Sequence, residues 1–150
     1  MITEPICETL SRYDESPNSR KPLFGSDVAD LLGTSILDLV RRFQAVKTQS
    51  PNQYYVSNTN HVTANVGFNE ENGDINLITY CGNVNRTDVI EKAKRLARVN
   101  HCIIYAFFDG NKCCLKMAKC FTNNPKVRVY GGTFKKPVLT NVFEGLSLWS

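Results

Sequence analysis

The sequence predicts an α+β domain: an antiparallel or mixed β-sheet of about five or six strands packed with two main helices. Three observations predict it. Apolar residues recur with helical period over 28–43 and again over 89–97. Between and after these stretches the period changes to two. Turn signals at Asn72-Gly73, Asp109-Gly110-Asn111 and Asn123-Asn124-Pro125 separate neighbouring strands by a few residues, which favours hairpins.

The 150 residues fit one domain. Residues 1–22 read as a flexible or loosely packed lead-in, because 14–22 is polar, charged and broken by Pro17 and Pro22. The single domain is expected to span 23–150. Ser26 reads as an N-cap with Asp27 and Asp30 in the first turn, where the helix dipole favours acids. Val28, Leu31, Leu32, Ile36, Leu39, Val40 and Phe43 follow at helical spacing. Gly33 either sits inside one helix or ends it, with Thr34 or Ser35 capping a second.

Ser50-Pro51-Asn52 breaks the helical pattern. Val62, Ala64, Val66 and Phe68 then alternate with smaller or polar residues, and Ile75, Leu77 and Thr79 resume the alternation after Asn72-Gly73, so 60–81 is a β-hairpin. A second helix starts at Thr87 or Asp88 and runs to about Asn100, with Val89, Ile90, Ala93, Leu96 and Ala97 on one arc. Asn85 caps it; the Asn85-Arg86-Thr87 glycosylation sequon is read that way. Cys102 to Phe108, Lys112 to Phe121 and Lys126 to Tyr130 are strands, and Thr133 to Leu139 is a candidate last one. The apolar tail after Thr140 is expected to pack back on the core. The core list is Val62, Val66, Phe68, Ile75, Leu77, Ile90, Ala97, Ile104, Phe108, Leu115, Val127 and Val129. If the 74–80 strand, the helix and the 102–108 strand form a right-handed crossover, the sheet is mixed.

Charge is divided unevenly. Residues 1–75 hold six Lys/Arg against ten Asp/Glu, and residues 76–150 hold twelve against four. A basic half attracts phosphate backbones or acidic proteins, unless the acidic half neutralises it internally. In the predicted strands Lys126, Arg128 and Tyr130 share one face, Tyr105 and Phe107 share a face of theirs, and Lys112, Lys116 and Lys119 add cations. Lys92, Arg95 and Arg98 lie on the polar side of the second helix. Cations neutralise phosphates and aromatic rings stack on unpaired bases. The candidate nucleic-acid-binding residues are therefore Lys92, Arg95, Arg98, Lys116, Lys126 and Arg128 for charge, with Tyr105, Phe107 and Tyr130 for stacking. Lysines on an open sheet face also serve solubility.

Six cysteines stand at 7, 81, 102, 113, 114 and 120. There is no Cys-x-x-Cys pair, and Cys113 and Cys114 face opposite sides of a strand, so no metal or other cofactor is expected. A thiol-dependent enzyme would have to pair Cys81 or Cys102 with His61 in space. Gly-rich phosphate loops, Gly-x-Ser-x-Gly elbows and His-Glu-x-x-His pairs are missing, which favours binding over catalysis.

Two local resemblances add to this. Asp27 to Ser35, with Ala29 and Gly33 at small positions and Leu39 as a later core position, resembles the start of a helix-turn-helix, which implies Arg41 and Arg42 near a phosphate. Cys102 to Phe108 followed by Cys114-Leu115-Lys116, with a helix just before, looks like the second half of a PAN/apple module. That resemblance implies an extracellular module binding proteins or sugars, with Cys102 and Cys114 as disulfide candidates. The helix departs from that family, since 92–100 holds no cysteine.

The resulting expectation is a non-catalytic protein whose basic C-terminal half contacts nucleic acid, chiefly through phosphates. The alternative is a protein-interaction or inhibitor module that meets an acidic partner or docks segment 27–46 in a partner's groove. No apolar run reaches 18 residues, so no membrane-spanning helix is predicted. Met1 to Leu10 holds two acids and no apolar stretch, so an intracellular setting is expected.

Overall fold

A computed structural model describes residues 20–47, 54–58, 62–110, 112–118 and 121–131. These residues form the predicted α+β architecture around a mostly antiparallel sheet. The strands are β1 (Ala45–Lys47), β2 (Tyr54–Asn58), β3 (Val62–Phe68), β4 (Ile75–Cys81), β5 (Ile103–Asp109), β6 (Lys112–Met117) and β7 (Lys126–Gly131). Their spatial order is β1-β2-β3-β4-β6-β5-β7. The five strands read as 62–68, 74–80, 102–108, 112–121 and 126–130 are all present, to within a few residues at their ends. Strands β1 and β2 extend the sheet beyond them. The candidate strand Thr133 to Leu139, the apolar tail and nearly all of the 1–22 lead-in lie outside the described residues.

The mixed character arises at a different place from the one expected. Strand β6 stands between β4 and β5 and is antiparallel to both, so the crossover through the helix skips one position. The parallel pair is β5 with β7. The link into β7 passes the start of β5, where Ala118 N donates to Ile103 O (3.0 Å) and Thr122 N donates to His101 O (2.7 Å).

The predicted first helix, Ser26 onward, is replaced by two single 3₁₀ turns, Gly25–Asp27 and Ala29–Leu31, and then a seven-residue helix α1 (Ile36–Arg42). Ser35 caps α1, its Oγ accepting from Leu37 N at 3.1 Å. The first turn is constrained by close packing: a Cβ on Gly25 would run into the Asn83 carbonyl. Because 26–32 forms no α-helix and Ile36, Leu39 and Val40 are buried, the segment is not a helix-turn-helix. Arg42 instead lies over the Phe43 ring of its own chain at 5.2 Å.

Helix α2 (Arg86–Asn100) begins where Asn85 Oδ1 accepts from Asp88 N at 3.0 Å, and ends at His101 in the left-handed region (φ 50°). Val89, Ala93 and Ala97 are its buried stripe. With α1 and the 3₁₀ turns it joins a single core containing Tyr55, Ile78, Ile104, Phe108, Cys113 and Leu115. The β3–β4 hairpin closes at Gly73 (φ 77°), a conformation open to glycine at little cost. Of the predicted core, Val66, Phe68, Ile75, Leu77, Ile90, Ala97, Ile104, Phe108, Leu115 and Val127 are buried or partly buried, whereas Val129 is 38 % exposed. Val129 lies on the last strand in the described order, where β5 is its one strand neighbour among the described residues.

Candidate functional site

Strand register gathers part of the predicted basic site. Tyr105 pairs with Lys116 on β6 and with Arg128 on β7, so the three form a row across β6-β5-β7. Lys126, Arg128 and Tyr130 alternate along β7 and share that face. Residues two apart on a strand are about 6.6 Å apart, so the β7 side chains form a regular file. The Arg128 guanidinium lies 6.0 Å from the Tyr105 ring centroid. Lys126 and Arg128 are exposed and make no ion pair among the described residues.

Phe107 departs from the expectation. It shares the face of Tyr105 but is fully buried, as is its cross-strand partner Cys114, and Leu77, the partner of Lys116 on the same face, is 4 % exposed. Phe107 therefore serves packing, and no base can reach its ring. Open surface on this face lies toward β7.

The helix residues are not brought to the same place. The buried stripe of α2 packs on the opposite side of the sheet, the side of Ile104 and Leu115. Lys92 is engaged within the fold: its ammonium contacts Asp30 at 3.2 Å, Asp88 at 3.4 Å and Ser26 O at 3.1 Å. The hydrogen bond it donates to Asp30 holds its pKa above the usual lysine value, and it stays charged and clamps the 3₁₀ turns to α2. Here the acidic half does neutralise the basic half. Arg95 and Arg98 are exposed on the outer side of α2.

The four described cysteines, Cys81, Cys102, Cys113 and Cys114, form no disulfide. Burial pushes the Cys113 thiol up to about 12 and the Cys114 thiol up to about 11. Thr79 Oγ1 sits 3.4 Å from Cys114 Sγ. Thiols so protonated and shielded are poor nucleophiles. Cys102 and Cys114, the disulfide candidates of the PAN/apple resemblance, are unbonded: Cys102 is in the helix-side core and Cys114 on the other face. Among the described residues no three His, Cys, Asp or Glu side chains cluster as a metal site requires. His61, Cys7 and Cys120 lie outside the described residues. No helix among the described residues is long and apolar enough to cross a membrane.

A second feature has no counterpart in the sequence reading. Where α2 ends and β4 begins, a cleft of about 370 Å³ opens, lined by Asn72, Asp74, Asn76, Asn100, Met117 and Phe121, among others. Its floor is built by short bridges: Gly33 N donates to Ile75 O (2.8 Å), Ile75 N to Thr34 O (2.8 Å) and Ile36 N to Gly73 O (2.7 Å). Asn76 reaches the cleft because β3–β4 pairing jumps from Gly67–Leu77 to Phe68–Ile75, leaving it as the extra residue of a bulge. The signal that could have revealed this cleft is the alternation Asn72, Asp74, Asn76 out of the hairpin.

No family model matches this chain, and neither does any curated protein or solved structure.

Proposed function

We propose that this domain binds single-stranded nucleic acid, in an intracellular setting, through the β6-β5-β7 face of its sheet. The observation that carries the reading is the row Lys116–Tyr105–Arg128, extended along β7 by Lys126 and Tyr130. Cations at regular spacing track a phosphate backbone, and the two tyrosines offer flat surfaces for unpaired bases. A sheet face of this composition suits single strands, because paired bases hide the surfaces that stack. Arg95 and Arg98, on the far side of the sheet, take no part in this surface, and Lys92 is held by Asp30 and Asp88.

The test is fluorescence anisotropy with labelled single- and double-stranded RNA and DNA at two salt concentrations. Single strands should bind more tightly than duplexes, and the affinity should fall steeply with salt. Glu at both 126 and 128 should abolish most of the binding. Binding that survives this reversal, or no binding at low salt, overturns the reading. In the second case an acidic protein becomes the partner to seek for the same face.

A further inference from the structure

The cleft at the end of α2 has chemistry opposite to that of the basic face. We propose that it is a binding site for a guanidinium group, carried by a small molecule or by an arginine side chain. This is independent of the nucleic-acid reading, since no residue of the β7 file lines the cleft.

The first argument is charge. In a chain of net charge +4, the cleft lining holds one carboxylate, Asp74, and no Lys or Arg. Asp74 makes no ion pair among the described residues. Asn100 closes the fifteen-residue helix α2 and lines the cleft, so the negative end of the helix dipole lies there. Both effects favour a cation.

The second argument is hydrogen-bonding capacity. Asn100 Nδ2 donates back to Leu96 O at 2.8 Å, which leaves its Oδ1 to accept. Asp74 offers two carboxylate oxygens. Asn76, set apart by the bulge, has a whole amide available, as no hydrogen bond engages its side chain among the described residues. Asn72 Oδ1 accepts from Asp74 N at 2.9 Å and fixes the loop that presents the carboxylate. The site therefore lacks charged donors and is rich in acceptors. A guanidinium is five donors in a plane with no acceptor, and it pairs with a carboxylate through two parallel bonds.

The third argument is shape. Phe121 is 72 % exposed yet held in place, its ring 5.3 Å from that of His101. With Met117 it gives the cleft an apolar wall. A guanidinium is weakly hydrated and lies flat on such surfaces, whereas a primary ammonium keeps its water. The cleft volume falls in the range of small-ligand sites.

Amide NMR titrations of the intact protein test this, with ethylguanidinium, its neutral counterpart ethylurea, a blocked arginine peptide and adenosine as probes. Ethylguanidinium should move the amides of Asp74, Asn76 and Asn100, and ethylurea should not. Asp74→Asn, which keeps the side-chain size, should weaken binding about tenfold or more, the scale of a lost charged hydrogen bond. Phe121→Ala removes an exposed ring and should weaken it as well. Tighter binding of the peptide than of ethylguanidinium assigns the site to a protein arginine, and equal or weaker binding assigns it to a small molecule. Equal response to ethylurea, retention of affinity in Asp74→Asn, or preference for adenosine at these amides overturns the proposal. Lys126→Glu with Arg128→Glu should leave the guanidinium titration unchanged.

Discussion

The cations of helix α2 and those of strand β7 sit on opposite sides of one sheet, and the helix carries acids beside them where the strand does not. Lys92 is shared by Asp30 and Asp88, and Lys94 lies 3.6 Å from Glu91. On β7, Lys126 and Arg128 alternate with valines and have no acidic neighbour in the strand. A helix places residues three and four apart side by side, so Lys92 and Lys94 meet acids of their own helix, while Arg95 and Arg98 stay exposed. A strand places like residues two apart on one face, so a short basic run stays basic. Counting charges treats both regions alike. Secondary structure decides which cations meet an acid.

Mutation tests this contrast. The largest effect should come from Phe107→Ala, because the ring is fully buried: about 3–5 kcal/mol of stability by chemical denaturation, the range for truncating a buried Phe. A variant that stays stable and loses only RNA binding would restore Phe107 as a stacking residue. Next, Glu at 126 and 128 should abolish most RNA affinity and lower the log–log salt slope by about 0.7 per cation removed. Tyr105→Ala and Tyr130→Ala should each weaken single-strand binding by about 1–3 kcal/mol with the salt slope unchanged. On the other side of the sheet, Arg95→Glu with Arg98→Glu should leave affinity within a few-fold of the parent. A loss equal to that of the β7 reversal would show that both surfaces bind.

A further contrast lies among the thiols. Cys81 is exposed and should alkylate in the folded protein, while Cys113 and Cys114 should not, as peptide mapping would report. Their pKa values are raised, so the folded chain keeps protons that the unfolded chain releases near pH 9. Stability should therefore fall as pH rises from about 9 towards 12, and Cys113→Ala should flatten that decline in urea titrations at each pH. Reaction of all four described thiols at the same rate would show that the sheet opens readily.

Local signals explain what was legible in the sequence. Asn72-Gly73 marked the hairpin, Asn85 marked the start of α2, and alternation placed Lys126, Arg128 and Tyr130 on one side of β7. What failed depended on neighbours distant in the chain. Strand β1 is three residues long, and β2 holds only the β-forming run Tyr54-Tyr55-Val56, so both exist through pairing with β3 and each other. Helical spacing in 28–32 was real and its apolar residues are buried, yet the segment folds as 3₁₀ turns, the first of them set at Gly25 against the Asn83 carbonyl, a contact distant in the chain. The exposure of Val129 follows from sheet order, which alternation does not encode, and alternation does not separate buried Phe107 from half-buried Tyr105 on the same face. The cleft depends on a one-residue bulge at Asn76 and on the meeting of α2 with β4, a juxtaposition formed only in three dimensions.

The parallel seat of β7 has a consequence for how the fold opens. Among the described residues β7 pairs with β5 alone, on the edge of β5 opposite β6. A strand held along one edge opens before strands held along both. Amide hydrogens of β7 should then exchange with solvent before those of β3, β4 and β6. A ligand held by Lys126 and Arg128 would slow that exchange, coupling occupancy of the surface to completion of the fold.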